Sequence, residues 1–128
     1  MEKILLVCPD LAMIDNLTFV LQHSGFQIVN VAGSRQALAE MGRNSPDLIV
    51  LRENSRRLYG DELCIRIREI SDVPIIVLGQ EQEEVAGVEF LEMGADAYLT
   101  SPLSLRELLA RVRSLLRRTR PLAEHERG

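Results

Sequence analysis

The chain has 128 residues, 46% of them hydrophobic, and a formal net charge of −4. This length suffices for one domain with a hydrophobic core, and the acidic balance without a basic block gives no indication of a nucleic-acid-binding protein. No apolar run reaches the ~20 residues of a membrane span, two cysteines make no disulfide framework, and the first residues lack a signal-peptide pattern, so we expect a cytoplasmic protein.

Short apolar runs alternate with amphipathic segments along the chain. The apolar runs predict strands at residues 3–8, 26–31, 47–52, 73–79 and 97–100. The amphipathic segments predict helices at residues 10–25, 34–44, 61–70 and 83–94, and leucines at helical spacing from Leu105 to Leu116 predict a fifth helix. Asp10 suits the N-cap of the first helix, and Gly25 suits its end.

Five strand–helix pairs with nearly continuous apolar strands indicate an α/β fold, in which helices cover both faces of a parallel sheet. In open sheets of this kind the functional site lies at the carboxyl ends of the strands. That rule selects Cys8, Pro9, Asp10, Arg52, Gly79 and Ser101. Arg52 is unusual among them, because it ends a strand that is otherwise apolar.

From Lys3 to about Arg118 the chain resembles the receiver domain of two-component response regulators. The resemblance lies in "ILLV", "PDLIVL", "GDEL", "VPIIVL", "GADAYL" and "SPLSLRELLARVRSLLRR". The last two segments most resemble receivers that carry a winged-helix DNA-binding domain. The resemblance implies a flavodoxin-like, doubly wound (βα)5 fold with strand order 2-1-3-4-5. It places a receiver-like domain at residues 1–119, and a tail or the start of a linker to an output domain at 120–128.

Receivers of this family accept a phosphoryl group on an Asp that ends the third strand. Acidic residues after the first strand help to bind Mg²⁺, and a Thr or Ser and a Lys hold the phosphoryl oxygens. Carried over by position, these roles fall on Arg52 for the phosphoacceptor, Cys8 and Pro9 for the acidic pair with Asp10 as a third acid, Gly79 for Thr or Ser, and Ser101 for Lys. The aromatic switch position of the family is kept as Tyr98.

The residues at these positions do not provide the chemistry of the family. Phosphorylation needs a carboxylate nucleophile, Mg²⁺ needs several hard oxygen ligands, and the phosphoryl charge needs a cation and a hydroxyl. We therefore predict a pseudo-receiver that is not an enzyme and uses no metal or cofactor. It would act as a phosphorylation-independent module for dimerisation or protein interaction, contact DNA only through an output domain, and make no contact with a membrane.

Several residues have two interpretations. Arg52 pairs with Asp10 and fills the site, or it points to solvent. Cys8 is a small buried residue, or a thiol activated by Arg52, so the alternative function is a redox sensor or a sensor of a small anionic ligand. Glu53 replaces the acceptor, or it is a solvated loop carboxylate, which we favour. Tyr98 is locked in one rotamer beside Gly79, or it is plain packing.

The fifth predicted helix is rich in arginine. A DNA-binding patch is one interpretation, but a solvated helix face is favoured because the chain is acidic overall. The resemblance implies a two-fold dimer through the fourth helix, the fifth strand and the fifth helix, with Asp96, Glu107, Arg111 and Arg113 at ion-pairing positions. Two partners are missing, because Gly87 stands where a basic residue is expected and Ala97 where an acid is expected, whereas the pair of Asp96 with Arg113 remains intact.

Overall fold

The computed structural model describes residues 1–52, 57–79, 84–100 and 102–119. In these ranges strands and helices alternate along the chain. The strands are β1 (Lys3–Val7), β2 (Gln27–Val31), β3 (Leu48–Arg52), β4 (Ile75–Leu78) and β5 (Ala97–Leu99). The helices are α1 (Leu11–His23), α2 (Ser34–Arg43), α3 (Arg57–Ile70), α4 (Glu84–Glu92) and α5 (Leu105–Thr119).

The five strands form one sheet in the order β2-β1-β3-β4-β5, and every neighbouring pair is parallel. This confirms the predicted flavodoxin-like fold. Arg52 lies opposite Leu78 in the β3–β4 pairing, and Tyr98 lies opposite Val77 in the β4–β5 pairing. Because the strands are parallel, the ends of β1, β3, β4 and β5 lie along one edge of the sheet.

The hydrophobic core has two layers, one on each face of the sheet. Ile4, Leu6 and Cys8 of the first strand segment belong to the layer that α1 and α5 cover. Leu5 and Val7 belong to the opposite layer, under α2, α3 and α4. Side chains alternate between the faces of a strand, so the residue at which each strand ends decides which helices its side chain meets.

The predicted ends of α1 are confirmed. The Asp10 carboxylate caps the helix by accepting a hydrogen bond from the Met13 amide at 3.3 Å. Gly25 follows the helix with a φ of 95°, a left-handed conformation that glycine adopts without steric penalty. In the described part of the chain, no helix combines the length and apolar character that a membrane crossing requires.

The predicted start of α3 at residue 61 is wrong, because the helix begins at Arg57. Gly60 favours a loop locally but lies inside this helix, where one glycine costs only about 1 kcal/mol relative to alanine. β4 is also shorter than predicted, at Ile75–Leu78 instead of 73–79. Pro74 precedes it and has no N–H to donate to a neighbouring strand. The other elements differ from the prediction by at most three residues at an end.

Candidate functional site

The segment from Cys8 to Asp10 links β1 to α1 at the carboxyl edge of the sheet. Cys8 is fully buried, its amide donates to the Val31 carbonyl at 3.0 Å, and its Sγ donates to the Asp10 carbonyl at 3.7 Å. Pro9 and Asp10 are exposed. Asp10 is the one residue of the three that carries a carboxylate, and that carboxylate already caps α1.

Arg52 ends β3 as predicted and is half-buried. Its Nη1 donates to Met13 Sδ on α1 at 2.9 Å. Among the described residues, Arg52 and Asp10 form no ion pair within 4.0 Å, so the predicted pair is not formed. The physical reason is competition, because the Asp10 carboxylate is stabilised by the amide and the positive end of the α1 dipole. The alternative is also not observed, since the guanidinium lies against Met13 instead of pointing freely to solvent.

The Cys8 thiol lies beside two charges of opposite sign. Burial raises the pKa of Cys8 above its ordinary value of 9.0. The hydrogen bond with the Asp10 backbone and the positive charge of Arg52 oppose this rise in pKa, and the Asp10 carboxylate adds to it. The net effect keeps the thiol protonated at neutral pH, although a reactive cysteine needs its thiolate form. The geometry therefore favours the interpretation of Cys8 as a buried core residue.

Gly79 follows β4 on the opposite face of the sheet and meets Tyr98. Its amide donates to the Leu99 carbonyl at 2.7 Å, which extends the pairing of β4 with β5. The Tyr98 ring occupies the space beside it, because a Cβ atom at residue 79 would overlap Tyr98 Oη and Cζ. The ring also stacks on Phe90 of α4, with centroids 5.7 Å apart.

The structure thus divides the predicted pocket between the two faces of the sheet. Cys8, Asp10 and Arg52 meet on the α1 side, whereas Gly79 and Tyr98 meet on the α4 side. Ser101 and Glu53 lie outside the described residues. Sequence reasoning missed Met13, which contacts Arg52, and no pattern in the chain distinguishes that methionine from an ordinary core residue of an amphipathic helix.

The residues at this edge do not fit the Mg²⁺ ion that the fold family implies. Mg²⁺ is held by carboxylate, carbonyl and water oxygens. Here the first two positions offer a buried protonated thiol and a proline, and the Arg52 guanidinium adds a positive charge. Among the described residues, no group of three or more His, Cys, Asp or Glu side chains has the arrangement of a metal site.

The four predicted dimer residues lie around the β5 edge of the sheet. Asp96 is engaged within the chain, since its Oδ2 accepts from Arg68 Nη2 at 2.9 Å and from the Ile75 amide at 2.8 Å. Glu107, Arg111 and Arg113 are exposed on α5, and none of their side chains forms an ion pair within the described ranges.

Two exposed apolar side chains on α4 were also missed. Val88 is 51% exposed and Leu91 is 47% exposed. They are three residues apart, so they are neighbours on one face of the helix. A signal for this is present in the sequence, because Val88 and Phe90 are two residues apart and cannot lie on the same face of a helix. When Phe90 is buried in the core, Val88 is left on the outer face.

Comparison with known proteins identifies relatives of this chain. The response regulator receiver domain family matches residues 4–113. The sensory transduction protein RegX3 of Mycolicibacterium smegmatis is 37% identical over 118 residues, which cover 92% of this chain and 52% of that protein. The response regulator MprA of Mycobacterium leprae is 39% identical over 120 residues, which cover 93% and 53%. The alkaline phosphatase synthesis transcriptional regulatory protein PhoP of Bacillus subtilis is 37% identical over 119 residues, which cover 92% and 50%.

The chain therefore spans about half the length of the curated relatives it matches. Solved structures show the same fold. The receiver domain of the TMAO respiratory system response regulator TorR is 32% identical with a TM-score of 0.88, and covers 94% of this chain and 100% of its own. The Francisella response regulator 1452 receiver domain is 27% identical with a TM-score of 0.87 and the same coverage. On this sequence and structural evidence, the chain belongs to the response regulator receiver domain family.

Proposed function

We propose that this receiver domain signals without phosphorylation, as a pseudo-receiver. It forms a homodimer through α4, β5 and α5, and controls a DNA-binding transcription regulator from the cytoplasm without enzymatic activity of its own. The observation that carries the proposal is Arg52 at the end of β3. A guanidinium has no nucleophilic oxygen, so it cannot form the acyl phosphate that a carboxylate forms.

The surroundings of Arg52 support the same conclusion. The pocket on the α1 side contains a protonated thiol, a helix-capping carboxylate and a guanidinium that contacts Met13. Among the described residues, a phosphoryl group arriving there would meet no carboxylate other than the α1 cap and no group of side chains arranged to hold a metal ion. Gly79 supplies no hydroxyl for the phosphoryl oxygens, and its free space is filled by the Tyr98 ring.

The dimer is supported by the surface around β5, which is the edge strand of the sheet. Val88 and Leu91 are neighbouring exposed apolar side chains there, and covering them with a partner subunit would remove their apolar surface from water. α4 contains three glutamates and no basic residue, whereas α5 contains five arginines and one glutamate. In a two-fold dimer that sets α4 of one subunit against α5 of the other, these opposite charges meet twice.

The proposed dimer therefore uses different ion pairs from those that the resemblance implies. Asp96 already pairs with Arg68 inside the chain, and Gly87 and Ala97 have no charge to offer. The exposed Glu92 of α4 and Arg111 of α5 are the matching charges that the face provides instead. Control of transcription is supported by relatives whose names describe regulators, such as the transcriptional regulatory protein PhoP.

The alternative function, a redox or ligand sensor around Arg52 and Cys8, receives no support from the geometry. Cys8 has no exposed surface, and burial raises its pKa, so oxidants reach neither the atom nor its reactive form. Arg52 Nη1 already donates to the Met13 sulfur. An anion that binds this guanidinium nitrogen would have to compete with that contact.

Sedimentation velocity over a concentration series tests the proposal, with and without Mg²⁺ and beryllofluoride as a phosphoryl mimic. We expect a dimer whose dissociation constant is the same in both conditions. A mimic that strengthens association would contradict phosphorylation independence. A chain that stays monomeric in both conditions would contradict only the dimer, and would favour interaction with another protein.

A pair of matched variants locates the interface. Leu91→Arg places a charge in the apolar centre of the proposed face, and we expect it to abolish the dimer. Ile70→Arg is the control, because Ile70 is 63% exposed at the end of α3, outside that face. If both variants dimerise like the original chain, the interface lies elsewhere.

A further inference from the structure

We propose that Gly79 and Gly87 form a slot that holds the Tyr98 ring permanently inward, between the end of β4 and α4. In this arrangement the Tyr98 side chain keeps one rotamer instead of changing rotamer in response to a signal. The surface formed by α4, β5 and α5 therefore keeps one conformation, whatever the pocket contains. What that face does rests on the proposed function, whereas the position of the ring does not.

The first wall of the slot is Gly79. In the described residues, positive φ angles occur at Gly25 and Gly94 and at no other position, so Gly79 has a backbone conformation that other residues adopt. Its missing side chain is therefore not explained by the backbone. It is explained by the ring, because a Cβ there would overlap Tyr98 Oη and Cζ and lie 3.0 Å from Cε2.

The second wall is Gly87, on a different element. It lies in the interior of α4, where glycine is a poor helix former. A Cβ at this position would lie 3.2 Å from Tyr98 Cδ2 and 3.6 Å from Cγ and Cε2. Two glycines with no backbone reason to be glycine thus meet the same ring along its Cδ2–Cε2 edge, Gly79 toward the hydroxyl end and Gly87 toward the Cγ end.

Phe90 closes the slot from α4. It is fully buried and stacks on Tyr98 at an angle of 22° between the ring planes. If Tyr98 turned outward, its ring would lose its contacts beside Gly79 and Gly87 and its stacking on Phe90, and among these three residues no side chain would replace it. Protein interiors do not sustain voids without loss of contacts, so the inward rotamer is the one that the packing selects.

The position of Tyr98 connects this slot to the proposed interface. The ring stands on β5, packs on α4 and reaches the end of β4. The neighbours Ala97 and Leu99 face the opposite layer, which α5 covers. A ring fixed in the slot therefore fixes α4 relative to β5, and with it the surface that carries Val88 and Leu91.

The chain provides its own spectroscopic probe for a test. It contains no tryptophan and two tyrosines, so Tyr59→Phe leaves Tyr98 as the only fluorescent residue of its kind. Quenching of Tyr98 fluorescence by acrylamide is then measured in this background. We expect a Stern–Volmer constant several-fold below that of N-acetyltyrosinamide, unchanged by Mg²⁺ and beryllofluoride.

Two alanine variants supply the comparison. Gly79→Ala forces the ring out of the slot, so we expect its Stern–Volmer constant to rise several-fold toward that of the free amide. Gly42→Ala on α2 is the matched control, because a Cβ there meets nothing within 4 Å, and we expect no change. If Gly79→Ala does not fold, Tyr98→Ala is added, and recovery of folding shows that the ring was the obstacle.

Four results would overturn the slot. Three of them are free quenching of Tyr98 when Gly79 and Gly87 are unchanged, no effect of Gly79→Ala on quenching, and failure of the Gly79→Ala, Tyr98→Ala double variant to fold. A change of Tyr98 quenching on addition of the mimic would also refute it, since the ring would then still respond to the pocket. Because quenching is measured on monomer or dimer alike, the slot can hold even where the proposed dimer fails.

Discussion

Arg68 of α3 ties the loop before β4 and the loop before β5 to the end of its own helix. Its Nε donates to the Gly94 carbonyl at 2.9 Å, and its Nη1 donates to the Ser71 carbonyl at 3.2 Å and the Val73 carbonyl at 2.6 Å. Its Nη2 donates to Asp96 Oδ2 at 2.9 Å. The side chain is only 23% exposed, so these bonds are partly shielded from water, and we predict that Arg68→Ala destabilises the domain.

The size of the effect follows from the four hydrogen bonds. A typical bond contributes about 1 kcal/mol net, more when one partner is charged, and the partly exposed site lets water replace some of the loss. We therefore expect the free energy of unfolding to fall by about 3 kcal/mol. For a domain of this size the melting temperature would fall by roughly 10 °C.

Urea unfolding followed by far-ultraviolet circular dichroism measures this loss. Arg43→Ala is the control, because Arg43 is 70% exposed and makes a single contact of 3.4 Å with Glu40 Oε1, an ion pair of the kind that contributes less than ~1 kcal/mol. Asp96→Ala alone and combined with Arg68→Ala should give effects that do not add, since the two residues share a bond. The reasoning is refuted if Arg68→Ala costs no more than Arg43→Ala.

Three further predictions concern single groups. Burial raises the pKa of Cys8 above its ordinary value of 9.0, so the protonated thiol stabilises the folded state at pH below 9.0, and this stabilisation is lost as the pH rises through the raised pKa. The free energy of unfolding of Cys8→Ala should therefore depend less on alkaline pH than that of the original chain, and identical pH profiles would contradict this. Thr18 Oγ1 is buried without a hydrogen-bond partner among the described residues, so Thr18→Val should raise the free energy of unfolding in urea by about 0.5–1 kcal/mol, and a loss would show that the hydroxyl is satisfied. Ser104 Oγ accepts from the Glu107 amide at 3.1 Å at the start of α5, so Ser104→Ala should lower the free energy of unfolding by about 1 kcal/mol, seen as a lower midpoint in thermal unfolding. Ser104→Asp should preserve the midpoint, because aspartate also caps helices.

The fold was predictable from local patterns in the sequence. Nearly continuous apolar strands require a sheet covered on both faces, and the helical spacing of leucines in α5 identifies its buried side. The caps of α1 were predictable as well, because Asp10 and Gly25 act through their own backbone surroundings. The boundary of α3 was not, since Gly60 signals a loop locally and the rest of the helix overrides that preference.

The candidate site was predictable in its members but not in its contacts. The sequence placed Arg52 and Asp10 at one edge of the sheet, and their opposite charges suggested a pair. Asp10 had a nearer partner in the Met13 amide, and the guanidinium of Arg52 met the sulfur of the same residue. The choice between such partners depends on distances between elements that are far apart in the chain.

The sequence by itself determined the resemblance to the family and the place of Arg52 at the end of the third predicted strand, because each depends on residue types at fixed positions. Only the tertiary structure decided that the side chains of Cys8 and Arg52 pack on the α1 side of the sheet, while Gly79 lies against the Tyr98 ring on the α4 side. The reason is that alternation along a strand fixes which residues share a face, but packing between elements fixes what fills the space beside them. For Gly79 that neighbour is the ring of Tyr98, which the sequence brings near without showing that it occupies the gap.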